Sequence, residues 1–206
     1  MVSNSLLNLN LLTVGNSQTL LDQCRFRYLE TWAIEDPFSF IREFCAHEME
    51  MEYLKRDVLD LLKTAYSYRE EFFAGTHKSY VYNQIQLVKV VEVMYVLHVG
   101  DWDLKPGLIR QYVNRYSCLD NSEQKDIRIF LSGFFTFHNL NEWLSVLDDL
   151  LIHAYKEGDP DYFVYEKEPF KTMTYLEKLT EAVFLVYEIM DLKATYPKAS
   201  GDVSDS

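Results

Sequence analysis

The sequence predicts an all-α, single-domain multi-helix bundle of about seven helices, one of them long and kinked. Only seven glycines and five prolines occur in 206 residues, too few for the many turns of a sandwich or barrel. Hydrophobic residues make up 48% of the chain and aromatics 15%, which supports a packed core and excludes a mainly disordered chain. Several segments also repeat apolar residues at three- and four-residue spacing behind capping signals. The length suits one domain. It is expected over residues 1–196, with 1–15 as an N-terminal arm or short helix and 197–206 as a flexible C-terminal tail.

Along the chain, Leu6, Leu7, Leu9, Leu11 and Leu12 give the arm an apolar side before Gly15 and Asn16 stop it. A helix is expected next through Leu20, Leu21, Cys24, Tyr28 and Leu29 to about Trp32. Asp36-Pro37 then reads as a cap followed by a proline at the first helical position. No Gly or Pro follows until Gly75. One helix over about 37 residues would run roughly 55 Å at 1.5 Å per residue. A compact domain of this size is about 40–45 Å across. A bend is therefore expected at Glu48-Met49-Glu50-Met51-Glu52, which breaks the helical period.

Residues 79–99 are rich in valine, as a buried strand would be. Gln86, Lys89 and Glu92 nevertheless recur every three residues, forming one narrow helical strip. The segment reads as a nearly buried central helix. Asp103 is expected to cap a helix over 104–117, and Ser122 another over 123–137. Asn139 with Glu142 forms a capping box ahead of the stripe Trp143, Leu144, Leu147, Leu150, Leu151 and Ala154. Residues 158–170 read as an aromatic-rich connection. Thr174 with Glu177 reads as a second capping box, opening a helix with Leu176, Leu179, Val183 and Val186 inward and Glu177, Lys178, Glu181 and Glu188 outward. No repeat of solenoid period is evident.

The net charge of −12 is unevenly spread: 7 basic and 12 acidic residues over 1–77, 7 and 6 over 78–128, 6 and 14 over 129–206. Such a chain repels phosphate backbones at long range, so nucleic acid is not the expected partner. Cys24, Cys45 and Cys118 form no CxxC pair and fit a reducing compartment. The uncharged first 21 residues lack a basic start and are broken by Asn4, Asn8, Asn10 and Asn16. That is not a signal-peptide pattern, and the expected location is the cytoplasm with no membrane span.

Candidate chemistry is sparse. The run Arg42-Glu-Phe-Cys-Ala-His47 resembles the active-site motif of HEPN-type RNases. That resemblance implies His47 as a proton carrier and Arg42 as the group that stabilises phosphate charge. Glu43, His47, Glu48, Glu50 and Glu52 form an acidic cluster without metal-ligand spacing, and His77, His98, His138 and His153 stand alone. No metal or cofactor is expected. Residues 104–116 offer a helix-turn-helix reading in which Lys105, Arg110, Gln111, Asn114 and Arg115 would meet duplex DNA. The aromatic surplus of 15 Tyr, 13 Phe and 3 Trp points instead to a protein interface, with Trp102, Tyr162 and Phe163 as contact residues. The leading expectation is a non-enzymatic interaction or regulatory module that binds a protein partner or self-associates as a homodimer. The alternatives are a DNA-binding regulator using 104–116 and an RNase using Arg42 and His47.

Overall fold

A computed structural model of the chain describes residues 21, 25–48, 51–66, 77–100, 102, 104, 116–155 and 168–195. The arm, the C-terminal tail, most of segment 104–117 and most of segment 158–170 lie outside the described residues. Among the described residues the regular structure is helical, with no strand. The helices are α1 (Thr31–Glu35), α2 (Pro37–Glu43), α3 (Met51–Tyr66), α4 (His77–Val99), α5 (Asn121–Lys125), α6 (Ile127–Phe137), α7 (Leu140–Tyr155) and α8 (Pro169–Thr195). A π-helical turn, Phe44–Glu48, follows α2. The turn reaches the first residue of the segment Glu48–Glu52 where a bend is expected, Met49 and Glu50 lie outside the described residues, and α3 begins at Met51.

Four of the helix starts follow from single side chains. Asp36 accepts from the Ser39 amide at 3.0 Å and its hydroxyl at 2.6 Å, with Pro37 beside it at the first helical position. Those bonds hold the Asp36 carboxyl below the usual carboxylate range. Asn139 and Glu142 exchange the two bonds of the expected capping box, at 3.1 and 2.7 Å. Segment 123–137 departs from expectation, because it is two helices. Asp120, not Ser122, caps the first in a box with Glu123, and Asp126 ends it and caps α6. α8 starts at Pro169 rather than at Thr174, whose hydroxyl donates back to the Phe170 carbonyl at 2.9 Å inside the helix.

The expected helix is present at Leu21 but does not run on to Trp32, and what replaces it organises the fold. Residues 25–30 are not helical. Their amides turn instead to Glu92, a fully buried carboxylate on α4. Glu92 Oε1 accepts from the Arg27 amide, and Oε2 accepts from Tyr28 and Leu29 at 3.0 and 2.9 Å. Glu181 on α8, expected to face outward, is equally buried. Its Oε1 accepts from the Ser117 amide at 2.9 Å, and Oε2 from Cys118 and Leu119 at 2.8 and 2.9 Å. A buried charge needs such compensation. Glu181 also holds the Lys55 ammonium of α3 at 2.7 Å.

The two straps belong to a repeat of roughly 90 residues. Leu29 and Leu119 stand 63 and 62 positions before the carboxylates that bind them. Each strap leads into a five-residue helix, α1 or α5, then an aspartate that both ends it and caps the next, Asp36 or Asp126. Phe40, Ile41 and Phe44 correspond to Phe130, Leu131 and Phe134, all buried. α3 ends in Leu61-Leu62-Lys-Thr-Ala65-Tyr66, and α7 in Leu150-Leu151-Ile-His-Ala154-Tyr155. Packing follows the correspondence. α3 meets α7 and α4 meets α8, while α4 lies on α7 as α8 lies on α3, and α2 touches α8 as α6 touches α4. Mutually exchanged contacts of this kind are those of a twofold relation. One core runs through both halves, from Phe44, Leu62 and Met94 to Phe134, Trp143 and Val186.

Glu181→Ala leaves Lys55 and three amides without their acceptor. It is expected to cost about 3–5 kcal/mol, read as a lower urea midpoint, whereas an unchanged midpoint removes the strap from this account. The pH dependence has a defined sign. Burial opposes the Glu181 charge, but Lys55 and the three amides outweigh it and hold the carboxyl below its ordinary 4.5. Its contribution is therefore full above pH 4.5 and is lost as pH falls through the depressed folded value. Burial likewise opposes the Lys55 charge, while Glu181 raises it above 10.5, so that contribution is full below pH 10.5 and is lost on further alkalinisation. The stability gap between wild type and Glu181→Gln should shrink in acid, and a gap constant across the acid limb would contradict the assignment.

Candidate functional site

The strap held by Glu92 forms one wall of an open cleft of about 280 Å³, a size at the small end of ligand pockets. Tyr28 comes from the strap, Glu30 and Trp32 from the start of α1, and Lys89 from α4 one turn before Glu92. Phe40 and Glu43 of α2 and Phe44 of the π-helical turn complete it. Phe40 stacks on Phe44 with ring centroids 6.0 Å apart, and Trp32 tilts over Phe40 at 6.1 Å. The Glu30 carboxylate accepts from the Trp32 indole at 2.7 Å and fixes its orientation. Trp32 and Tyr28 are 40% and 42% exposed. Glu43 and Lys89 make no ion pair with any described residue.

The corresponding place in the second half is closed by the chain itself. Ser122 stands where Trp32 does, Glu123 where Ala33 does, Gly133 where Glu43 does, Tyr175 where Gln86 does and Lys178 where Lys89 does. Lys178 lies 2.9 and 2.7 Å from the two oxygens of Glu123 and 3.8 Å from Asp120. The Tyr175 ring stacks on Phe137 at 5.0 Å and meets Phe134 edge-on at 5.9 Å. Gly133 faces that ring: a Cβ there would sit 3.4 Å from the Tyr175 hydroxyl, in ordinary van der Waals contact. In the first half, Gln86 is buried, and its Oε1 meets no donor among the described residues.

The residues singled out from the sequence are placed differently. Arg42 is exposed on α2, and its neighbour Glu43, not Arg42, lines the cleft. His47 lies in the π-helical turn, with its side chain outside the described residues. Trp102, expected as a contact residue, is half-buried. Its ring meets Phe38 edge-on at 5.2 Å, and its indole donates to the Val96 carbonyl at 3.4 Å. Tyr162, Phe163, Lys105, Arg110, Gln111, Asn114 and Arg115 lie outside the described residues. Among the described residues no cluster of three or more His, Cys, Asp and Glu is arranged to hold a metal, and no helix is long and apolar enough to cross a membrane. Cys45 and Cys118 are free thiols, and burial pushes both above the ordinary thiol range, which keeps them unreactive. Sequence reasoning passed over Trp32, because it falls at the end of a helix expected to run on through residues 25–30, which are not helical. Lys89 was placed only as part of a polar strip.

Compared with protein families, curated proteins and solved structures, the chain matches none.

The cleft makes a direct prediction for tryptophan fluorescence. Trp143 is fully buried and stacked on Phe134, whereas Trp32 is 40% exposed. Trp32→Phe should remove most of the acrylamide-quenchable emission. If the quenchable fraction survives that substitution, the cleft is not open as described.

Proposed function

We propose that this chain is a non-enzymatic helical interaction module of the cytoplasm, receiving a group from a protein partner in the cleft between its first strap, α1 and α2. The observation that carries the reading is the contrast between the halves. One site is filled by Tyr175 and by the Lys178–Glu123 pair, while its counterpart stands open with two exposed rings. Exposed aromatics with fixed orientation lose little entropy on binding, and such rings anchor many interfaces. The walls are pre-organised, since Glu92 fixes Tyr28 through its amide and Glu30 fixes Trp32. A net charge of −12 favours a partner with a basic surface around the inserted group.

The test is photo-crosslinking from the cleft rim in the native cell extract, with the captured protein then purified and its binding measured. Trp32→Ala should weaken that binding about tenfold or more, as loss of an aromatic anchor does. Unchanged affinity would remove the cleft as the contact. A second copy of the chain as the captured species would identify the partner as a homodimer mate.

A further inference from the structure

Phe40 and Phe44 are buried, so the accessible lining of the cleft is the exposed Tyr28, Glu30, Trp32 and Glu43 with the half-buried Lys89. The two halves of the chain use their acids differently here. Asp120, which stands where Glu30 does, accepts from the Ser122 and Glu123 amides at 2.9 and 3.0 Å, and Glu123 pairs with Lys178 at 2.7 Å. The Glu30 carboxylate, at the same place before α1, accepts from no amide there. Its Oε2 accepts from the Trp32 indole, and its Oε1 meets no donor among the described residues. Glu43 stands where the second half has Gly133, and its carboxylate meets no partner among the described residues. Resting on the partner-binding reading above, we infer that the group received in the cleft is an arginine side chain of the partner. Its guanidinium bonds to Glu43 and Glu30 and lies against the Trp32 ring.

The charges of the lining select a cation. Glu30 and Glu43 outnumber Lys89, and the net charge of −12 adds to the attraction at long range. The exposed rings select a planar one. The Trp32 indole N–H is committed to Glu30, so what Trp32 still presents to an incoming group is ring surface. A guanidinium stacks on such a ring and offers paired donors to a carboxylate, whereas an ammonium has no plane to stack. Surface beyond the cleft indicates that the arginine arrives on a chain. Ile85 and Tyr82 precede Lys89 on α4 by about one and two turns, on the same face. Tyr82 is 47% exposed and Ile85 half-buried, so apolar surface continues the lining along α4. The occupant is thus an arginine with apolar residues beside it.

Fluorescence anisotropy with labelled peptide amides tests the assignment, using Ala-Leu-Arg-Leu-Ala and its counterparts with citrulline or lysine at the centre. Citrulline keeps the shape of arginine and lacks its charge. Wild-type protein should bind the arginine peptide about tenfold or more tightly than either counterpart. Glu43→Gln should remove most of that preference while leaving the thermal midpoint near wild type, since the Glu43 carboxylate supports no described bond. Lys89→Met should tighten the arginine peptide, because it removes the like charge from the lining. The inference is overturned if the citrulline or lysine peptide binds as tightly as the arginine peptide, or if Glu43→Gln leaves the preference intact. It is also overturned if Lys89→Met fails to tighten binding, or if the arginine peptide does not bind at about 1 mM. Crosslinking that remains Trp32-dependent in the face of those results would leave partner binding standing and discard only arginine as the inserted group.

Discussion

Two glutamates buried in the core, each gripping three consecutive backbone amides, are the constraint on which the rest of the structure depends. Neither Glu92 nor Glu181 retains any exposure to water. Carrying a charge into that setting is costly unless its oxygens are fully used. The strap amides meet that requirement, and in doing so they fix where the chain must stop being extended. A short helix begins just after each strap, at Thr31 and at Asn121, and the second helix of each half follows one aspartate later. The carboxylates therefore set the entry angle of α2 and α6, which carry Phe40 and Phe44 in one half and Phe130 and Phe134 in the other.

The pairing of the halves uses the same groups. Lys55 belongs to the first half but neutralises Glu181 of the second, so one salt bridge ties strap, α3 and α8 together across the twofold. No equivalent cation bonds Glu92 among the described residues. Its side of the molecule is also the side with the open cleft. A repeated unit whose two copies keep the same framework can fill one site internally and leave the other for an external group. Gly133 against Glu43, Glu123 against Ala33 and Tyr175 against Gln86 are the substitutions that separate the two outcomes.

Much of the fold was legible in the sequence, because helix periodicity and caps are local signals. Asp36-Pro37, the Asn139–Glu142 box and the valine-rich helix all appear as read. The missed strap at 25–30 and the misplaced Glu181 share one cause. Glu181 falls at a position that helical spacing assigns to solvent, yet its partners lie more than sixty residues away along the chain and are mostly backbone amides. A backbone donor has no side-chain signature, so neither the non-helical strap at 25–30 nor its acceptor could be read from residue types. The break between α5 and α6 escaped notice for a simpler reason: Ser122 is a plausible cap two positions beyond the real one, Asp120. The repeat was hidden by its long period and by sparse identities. Its clearest trace is the pair of leucines followed by Ala-Tyr that ends both α3 and α7. The cleft was less legible than the fold, since an opening is defined by what neighbouring side chains fail to fill.

Native-state hydrogen exchange at the strap amides tests the central claim most directly. Tyr28, Leu29, Cys118 and Leu119 lie outside any helix, and a non-helical segment ordinarily exchanges at close to open-chain rates. Bound to buried carboxylates, these four amides should instead exchange as slowly as those of α4 and α8, through global unfolding. Fast exchange at either strap, with the helices still protected, would show that the glutamates do not hold the chain as described.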